Sequence, residues 1–461
     1  MMDTLDREIS SVLSRETFQN ATIGIRICDA VSSRALYSYN SHLSITPASN
    51  QKLVTAAVAL KNLDPGFTYQ TVVQAASGPD SEGIIHGDVW LKGSGDPSLT
   101  SDRLDELAQD LVECGIKMIA GTIVGDGTIF DDQLLGMGWC WDDEPHYYSA
   151  QVAGLNCNGN VVTLSVSPGT AEGQVPKILI NGLESHEESY VSVACTAKTV
   201  AEKQGHTLAF HRRRGHNSIT VEGTVALGHE PVLEKITVEE PASFAASRFA
   251  LSLKKVGIQC AGGFRKATKP PSHVIDLAVS TSHSLPCILK TFMKQSNNLY
   301  GEAILKTCGH HASAQSPGSA TSGVAAIKEF LTCSDISTSG IVMVDGSGLS
   351  QSNSLTAGFV CDLLTHIFHK FPRDRWELFL QALPVGGVDG TLANRFTHLP
   401  LKGRVNAKTG SLDRVSSLSG FIADDTGRTK YIFSILMSGV ANAGDARQGQ
   451  DDILRAIMKC S

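Results

Sequence analysis

The strongest constraint on the fold is a change of texture along the chain. From about residue 70 to 265 the sequence is a succession of short β-type runs: Thr71–Ala75, Val89–Lys92, Gly121–Val124, Val161–Val166, Lys177–Ile180, Val191–Ala194 and Ile219–Val225. One amphipathic helix interrupts them, with Ser101 read as its cap and Leu104, Leu107, Ala108, Leu111 and Val112 on one face. On either side of this block helices and strands mix. A segment of different texture inside such a chain reads as an insertion, so its flanks are two parts of one domain. The expected parts are 1–72 and 265–461, with 73–264 inserted between them.

The flanks supply what one sheet-and-helix domain needs. Residues 3–16 read as a helix, Ile23, Ile25 and Ile27 as a strand, and Leu36–Tyr39 as its hairpin partner. Helices are expected again at Leu285–Lys306, Gly323–Leu331 and Leu355–Lys370. Near the end, Leu418–Ala423 and Tyr431–Met437 flank Asp424-Asp425-Thr426-Gly427, a hairpin signal. Asp451–Lys459 closes the chain as a helix with Ile453, Leu454 and Ile457 turned inward. The fold class is α/β (α+β).

Chemistry is concentrated at Ser49-Asn50-Gln51-Lys52. Pro47 suits a first helical turn, and Leu53, Val54, Ala57 and Leu60 follow at helical spacing. Ser49 and Lys52, three apart, leave the same face. A serine hydroxyl becomes a nucleophile when a base takes its proton, and a neutral amine one turn away can be that base. A free lysine titrates near ~10.4, so the site must lower it by roughly three units, about 4 kcal/mol. Burial or a second cation would do this. Ser-x-x-Lys alone arises by chance in many helices, but two partners follow in order: Ser296-Asn297-Asn298, and Lys408-Thr409-Gly410 with Ser411 after it.

Together these are the serine acyl-transferase signature of penicillin-binding proteins and serine β-lactamases. The chain resembles a class C low-molecular-mass penicillin-binding protein, the D-alanyl-D-alanine carboxypeptidase/endopeptidase family. Further matches are Leu91-Lys92-Gly93-Ser94-Gly95-Asp96-Pro97, Val124-Gly125-Asp126, Gly138-Trp139, Asp345-Gly346-Ser347-Gly348-Leu349-Ser350 and Gly387-Val388-Asp389-Gly390-Thr391-Leu392. The resemblance implies a penicillin-binding/β-lactamase-like transpeptidase domain split by a β-rich insertion that holds a nested third domain. The long interval between Ser49 and Ser296 supports that independently, because a compact β-lactamase-like domain needs only some tens of residues there. No counterpart of a deacylating β-lactamase glutamate can be placed within such a short window, so slow release of bound penicillin is expected.

The resemblance also implies roles. Ser49 is the nucleophile and Lys52 its base. Ser296 relays the proton to the leaving amine, held by Lys408 and Asn298. Lys408 supplies the second cation that lowers Lys52 and, with Thr409, attracts the substrate carboxylate. The N–H groups of Ser49 and Ser411 form the oxyanion hole. Gly410, Leu412, Leu349 and Gln351 line the substrate site. Trp139, Trp141 and Tyr147 with Asp142 and Asp143 read by themselves either as packing with a solvated acidic edge or as a cleft wall; the resemblance implies the wall, with Trp139, Asp142 and Tyr147 meeting substrate. Relatives commonly carry Arg where this chain has Gln351. Gln lacks the charge and the fork that suit a carboxylate, which puts recognition of a side-chain carboxylate in doubt.

The partners implied are peptidoglycan stem peptides and β-lactams, with no metal and no organic cofactor. Rival readings are a β-lactamase or esterase on the same fold, and a silent wall-binding or sensor protein. With 42% hydrophobic and 18% charged residues and a net charge of −7, the composition is that of a soluble globular chain and gives no case for nucleic acid. No run approaches the ~20 apolar residues of a membrane helix. Met1-Met2-Asp3-Thr4-Leu5-Asp6-Arg7 lacks the pattern of a signal peptide, although the resemblance implies an extracytoplasmic enzyme. The eleven cysteines are scattered without metal spacing and fit a reducing compartment. His211-Arg212-Arg213-Arg214 reads as a solvated turn before a strand, with an anionic wall polymer as the alternative contact. His310-His311 reads as a loop, Gly93-Ser94-Gly95 as a turn, and Asp345-Gly346-Ser347-Gly348 as a cleft-lining turn whose serine has no paired histidine.

Overall fold

Ile23, Ile25 and Ile27 lie in the strand Thr22–Asp29 with all three side chains buried, and this strand pairs antiparallel with Ala35–Tyr39. They belong to a computed structural model that describes residues 2–181, 190–313 and 316–459. Its contacts divide the chain into two units. The first is Met1–Phe67, Gly136–Trp139 and His283–Ser461; the second is Thr68–Leu135 and Cys140–Ser282.

The first unit is built on a five-stranded antiparallel sheet in the order Val405–Leu412, Val415–Ala423, Thr429–Ser438, Thr22–Asp29, Ala35–Tyr39. The helices Met2–Leu13 and Ala443–Lys459 pack on each other and share one apolar core with the sheet. Ile453, Leu454 and Ile457 are buried there, each stabilising the helix by about 1.5–3 kcal/mol relative to exposure. Ala357–Lys370 packs on Thr22–Asp29 and Thr429–Ser438. The strand Val415–Ala423 is buried along all but its last residue, and two of its three serines have internal partners: Ser419 Oγ donates to Ser434 Oγ at 2.9 Å, and Gln450 Nε2 to Ser416 Oγ at 3.0 Å.

Gln51–Asn62 is enclosed on every side from Gln51 to Leu60, the buried polar Gln51, Lys52 and Thr55 included. It packs on Asn298–Ala312 and Ala320–Cys333. The expected helix Leu285–Lys306 is two helices, Leu285–Lys294 and Asn298–Ala312. His310 and His311 lie in the last turn of the second, not in a loop, because the small residues around them continue a helix that packs closely: a Cβ on Gly309 would lie 2.5 Å from Gly323 N. The helix Arg373–Ala382, begun by Pro372, was not foreseen.

The second unit holds a five-stranded sheet in the order Phe264–Lys266, Ile123–Asp126, Val89–Gly93, Gln70–Ala75, Ile275–Thr281. Ser101–Glu113 and Pro241–Lys255 pack on this sheet and on each other. Ser101 is the first helical residue rather than the cap, which is Thr100, and Val112 is exposed on the outer face. Val161–Ser167 alternates as a half-buried strand with Val162, Leu164 and Val166 inward. The run Ile219–Val225 is two strands broken at Gly223, whose φ of +98° and contact with Thr207 O exclude a side chain. Arg212 is not part of a solvated turn. It is buried in the strand Ala209–Arg212 and paired with Glu239, while Arg214 meets Glu144 at 2.9 Å. No described helix is long and apolar enough to cross a membrane. The ten described cysteines are free; Cys460 lies outside the described residues.

Candidate active site

The three motifs converge in the first unit, each presented by a different local device. Ser49 lies in a short 3-10 turn, Ala48–Asn50, at the mouth of the buried helix Gln51–Asn62. Ser296 joins two helices with φ +57°, a left-handed conformation that costs a non-glycine residue about 1–2 kcal/mol. Asn297 caps the second helix by accepting from Tyr300 N. The middle residue of Ser-Asn-Asn is thus spent on the helix, and its two neighbours serve the site. Asn298 is the first residue of that helix.

Lys52 is fully buried and donates from Nζ to Ser49 Oγ at 2.9 Å, Asn298 Oδ1 at 2.7 Å and the Ser347 carbonyl at 2.6 Å. Burial lowers it to about 7, against the opposing pull of Asp345 and Glu302. Lys408 is equally buried; its Nζ donates to Ser296 Oγ at 2.9 Å and the Thr409 carbonyl at 2.8 Å. Burial and then the Lys52 charge drive it well below the usual lysine range. The repulsion between the two buried amines is reciprocal, and burial is the larger cause of both shifts.

Lys408 sits on the sheet's edge strand, Val405–Leu412. Ala407 N–H donates outward to the Pro384 carbonyl at 3.0 Å. Strand alternation places the N–H groups of Thr409 and Ser411 on that same outer edge. Close approach to the nucleophile turn requires Gly410, since a Cβ there would lie 3.0 Å from Ser49 N and 2.7 Å from the Pro47 carbonyl. Thr409 Oγ1 hydrogen-bonds Thr391 Oγ1 at 2.7 Å. Ser411 is exposed and Leu412 half-buried.

The segment 345–353 is a structural hub. The buried Asp345 carboxylate accepts from Gly348 N, Ser350 N, Asn353 Nδ2 and Trp139 Nε1 at 2.7–3.0 Å, close to the full acceptor capacity of a carboxylate. Trp139 is thereby fixed to the same loop. Leu349 is nearly buried and Gln351 exposed. Asp142 and Tyr147 belong to the second unit, both exposed on short 3-10 turns; the neighbouring Asp143 accepts from Tyr148 Oη at 2.8 Å. Sequence reasoning missed Glu302 and the Ser347 carbonyl. The one available signal was a lone acid amid Gly301, Ala303, Ile304 and Leu305, four residues after Asn298.

The sequence pattern of the D-Ala-D-Ala carboxypeptidase 3 (S13) family matches residues 5–459. The chain belongs to that family. Among relatives of this S13 enzyme, the D-alanyl-D-alanine carboxypeptidase of Actinomadura sp. (strain R39) is 34% identical, over 94% of this chain and 81% of that protein. D-alanyl-D-alanine carboxypeptidase DacB of Haemophilus influenzae is 27% identical over 93% of this chain and 88% of its own. The solved structure of penicillin binding protein 4 from Haemophilus influenzae matches with a TM-score of 0.86 at 25% identity, covering 97% of this chain and 99% of that one. The S13 chain is a serine peptidase acting on peptidoglycan, with the mixed α/β fold of penicillin-binding protein 4.

Proposed function

We propose that Ser49 is the nucleophile of a D,D-peptidase and Lys52 its base. The observation that carries this is the set of three oxygen atoms within hydrogen-bond distance of Lys52 Nζ. A neutral amine has two N–H bonds and one lone pair. Asn298 Oδ1 and the Ser347 carbonyl only accept, so they take both N–H bonds and leave the lone pair facing the Ser49 hydroxyl. Ser49 Oγ bonds to the carbonyl carbon of the penultimate D-Ala and gives its proton to Lys52. Ser296, held by Lys408, takes that proton over from Lys52 as it gives its own to the departing amine while the C–N bond breaks; water then adds to the ester carbonyl, releasing the acid and returning a proton to Ser49. The N–H groups of Ser49 and Ser411 receive the negative charge on the carbonyl oxygen.

Lys408 and Thr409 bind the terminal carboxylate; an arriving anion restores the charge on Lys408. Gly410 and Leu412 flank the substrate backbone. Trp139, Leu349 and Gln351 meet the rest of the stem peptide. Substrates are terminal D-Ala-D-Ala bonds, D-Ala cross-links or both, and β-lactams acylate the same serine. The enzyme works outside the cytoplasm, where such peptides are exposed. Benzylpenicillin should add the mass of one ring-opened drug to the Ser49 peptide, and Ser49→Ala should gain nothing. Labelling that survives that substitution overturns the assignment.

A further inference from the structure

Glu302 is 2% exposed on the helix Asn298–Ala312, one turn beyond Asn298 and on the same face. Its carboxylate accepts from Gly346 N at 3.0 Å, Ser347 N at 2.8 Å and the Ser347 hydroxyl. Helix and loop are in direct contact, since a Cβ on Gly346 would lie 2.4 Å from the Gly301 carbonyl. Thr55 Oγ1 donates to the Gly346 carbonyl at 2.7 Å from the other side. With two successive N–H groups held, the next carbonyl, that of Ser347, points at Lys52 Nζ.

We propose that Glu302 is a positioning residue for acylation: it fixes the Ser347 carbonyl that orients the Lys52 amine, and its negative charge opposes loss of the Lys52 proton. The inference rests on the reading of Ser49 as nucleophile and Lys52 as base. Asp345 on the loop and Lys52 on the nucleophile helix are the charged groups that act here, and the Lys52 charge in turn acts on Lys408 of the edge strand. Burial and the Asp345 charge raise Glu302 to about 7, the value to which burial lowers Lys52.

The test is the pH profile of acylation by a fluorescent penicillin, with the labelled peptide identified by mass spectrometry. Glu302→Gln keeps the shape and removes the charge. Its acid limb should move down by about 1 pH unit, while the plateau falls because an NH2 group now faces backbone N–H. Glu302→Asp keeps the charge but falls a methylene short, so its plateau should drop at least about tenfold with the acid limb in place. An unmoved acid limb in Glu302→Gln, with the label still on Ser49, overturns the inference. If that variant does not fold, a wild-type plateau in Glu302→Asp overturns it instead. A label away from Ser49 in the wild type would overturn the nucleophile assignment itself, a separate outcome.

Discussion

Asn50 Nδ2 donates to the backbone carbonyl of Lys408 at 3.0 Å, both residues being fully buried. The residue after the nucleophile therefore fastens the edge strand to the nucleophile turn, setting the gap between Ser49 N and Ser411 N. Asn50→Ala should cost about 1–3 kcal/mol, the range for stranding a buried polar partner. Acylation should slow by more than stability alone explains. Urea unfolding and penicillin acylation of the same preparation check this; a variant with lost stability and wild-type acylation would limit Asn50 to the fold.

Lys52 must be neutral to act as a base, and burial lowers it to about 7. The acylation rate should rise through pH 7 and fall about tenfold per unit below it. The sign for stability runs the same way. Between about pH 7 and 10 the unfolded chain keeps the Lys52 proton that the folded chain has released, so this group makes stability increase with pH. Stopped-flow acylation from pH 5 to 9 measures the first effect, and a flat profile would remove Lys52 from the role.

Ser296 Oγ and Lys408 Nζ lie 2.9 Å apart, the separation that the proposed proton relay requires. Ser296→Ala and Lys408→Ala should each slow acylation, and the double variant should be little slower than the worse single one. Additive losses would show two independent roles.

Gly348 has φ +81°, and a Cβ there would lie 1.9 Å from the Ala48 carbonyl. Gly348→Ala should destabilise by more than about 1 kcal/mol and displace the nucleophile turn. Gly78→Ala is the control, since nothing lies within 4 Å of its Cβ position and its φ is not positive. Thermal melting of the two variants should separate them clearly.

The legible parts of this enzyme were those with local signatures. Ser49 and Lys52 are a helical turn apart, and Ile23, Ile25 and Ile27 alternate as a strand must. What stayed hidden depends on partners remote in sequence. Arg212 looked solvated because Glu239, its partner, comes 27 residues later. The Ser347 carbonyl orients Lys52, yet backbone acceptors leave no trace in residue identity. Glu302 gains its significance only when residues 346 and 347 fold over it.

The remaining prediction concerns substrate choice. A stem peptide carries an amine on its third-position diamino acid. Asp142 is exposed on the turn Trp141–Asp143, whereas Asp143 is already engaged by Tyr148. We propose that Asp142, with the exposed ring of Tyr147, receives that ammonium group. A hydrogen bond to a charged group contributes about 1.5–3 kcal/mol, so its loss should lower kcat/KM roughly 10- to 150-fold. Gln351 has no charge for a side-chain carboxylate, so lysine or amidated diaminopimelate peptides should be accepted comparatively well. Three donors compared with Asp142→Ala decide the matter: a free-amine peptide, its N-acetylated form and a simple acyl-D-Ala-D-Ala. Only the free-amine donor should suffer. Equal loss on all three would mean that Asp142 supports the fold of its own segment and does not choose the substrate.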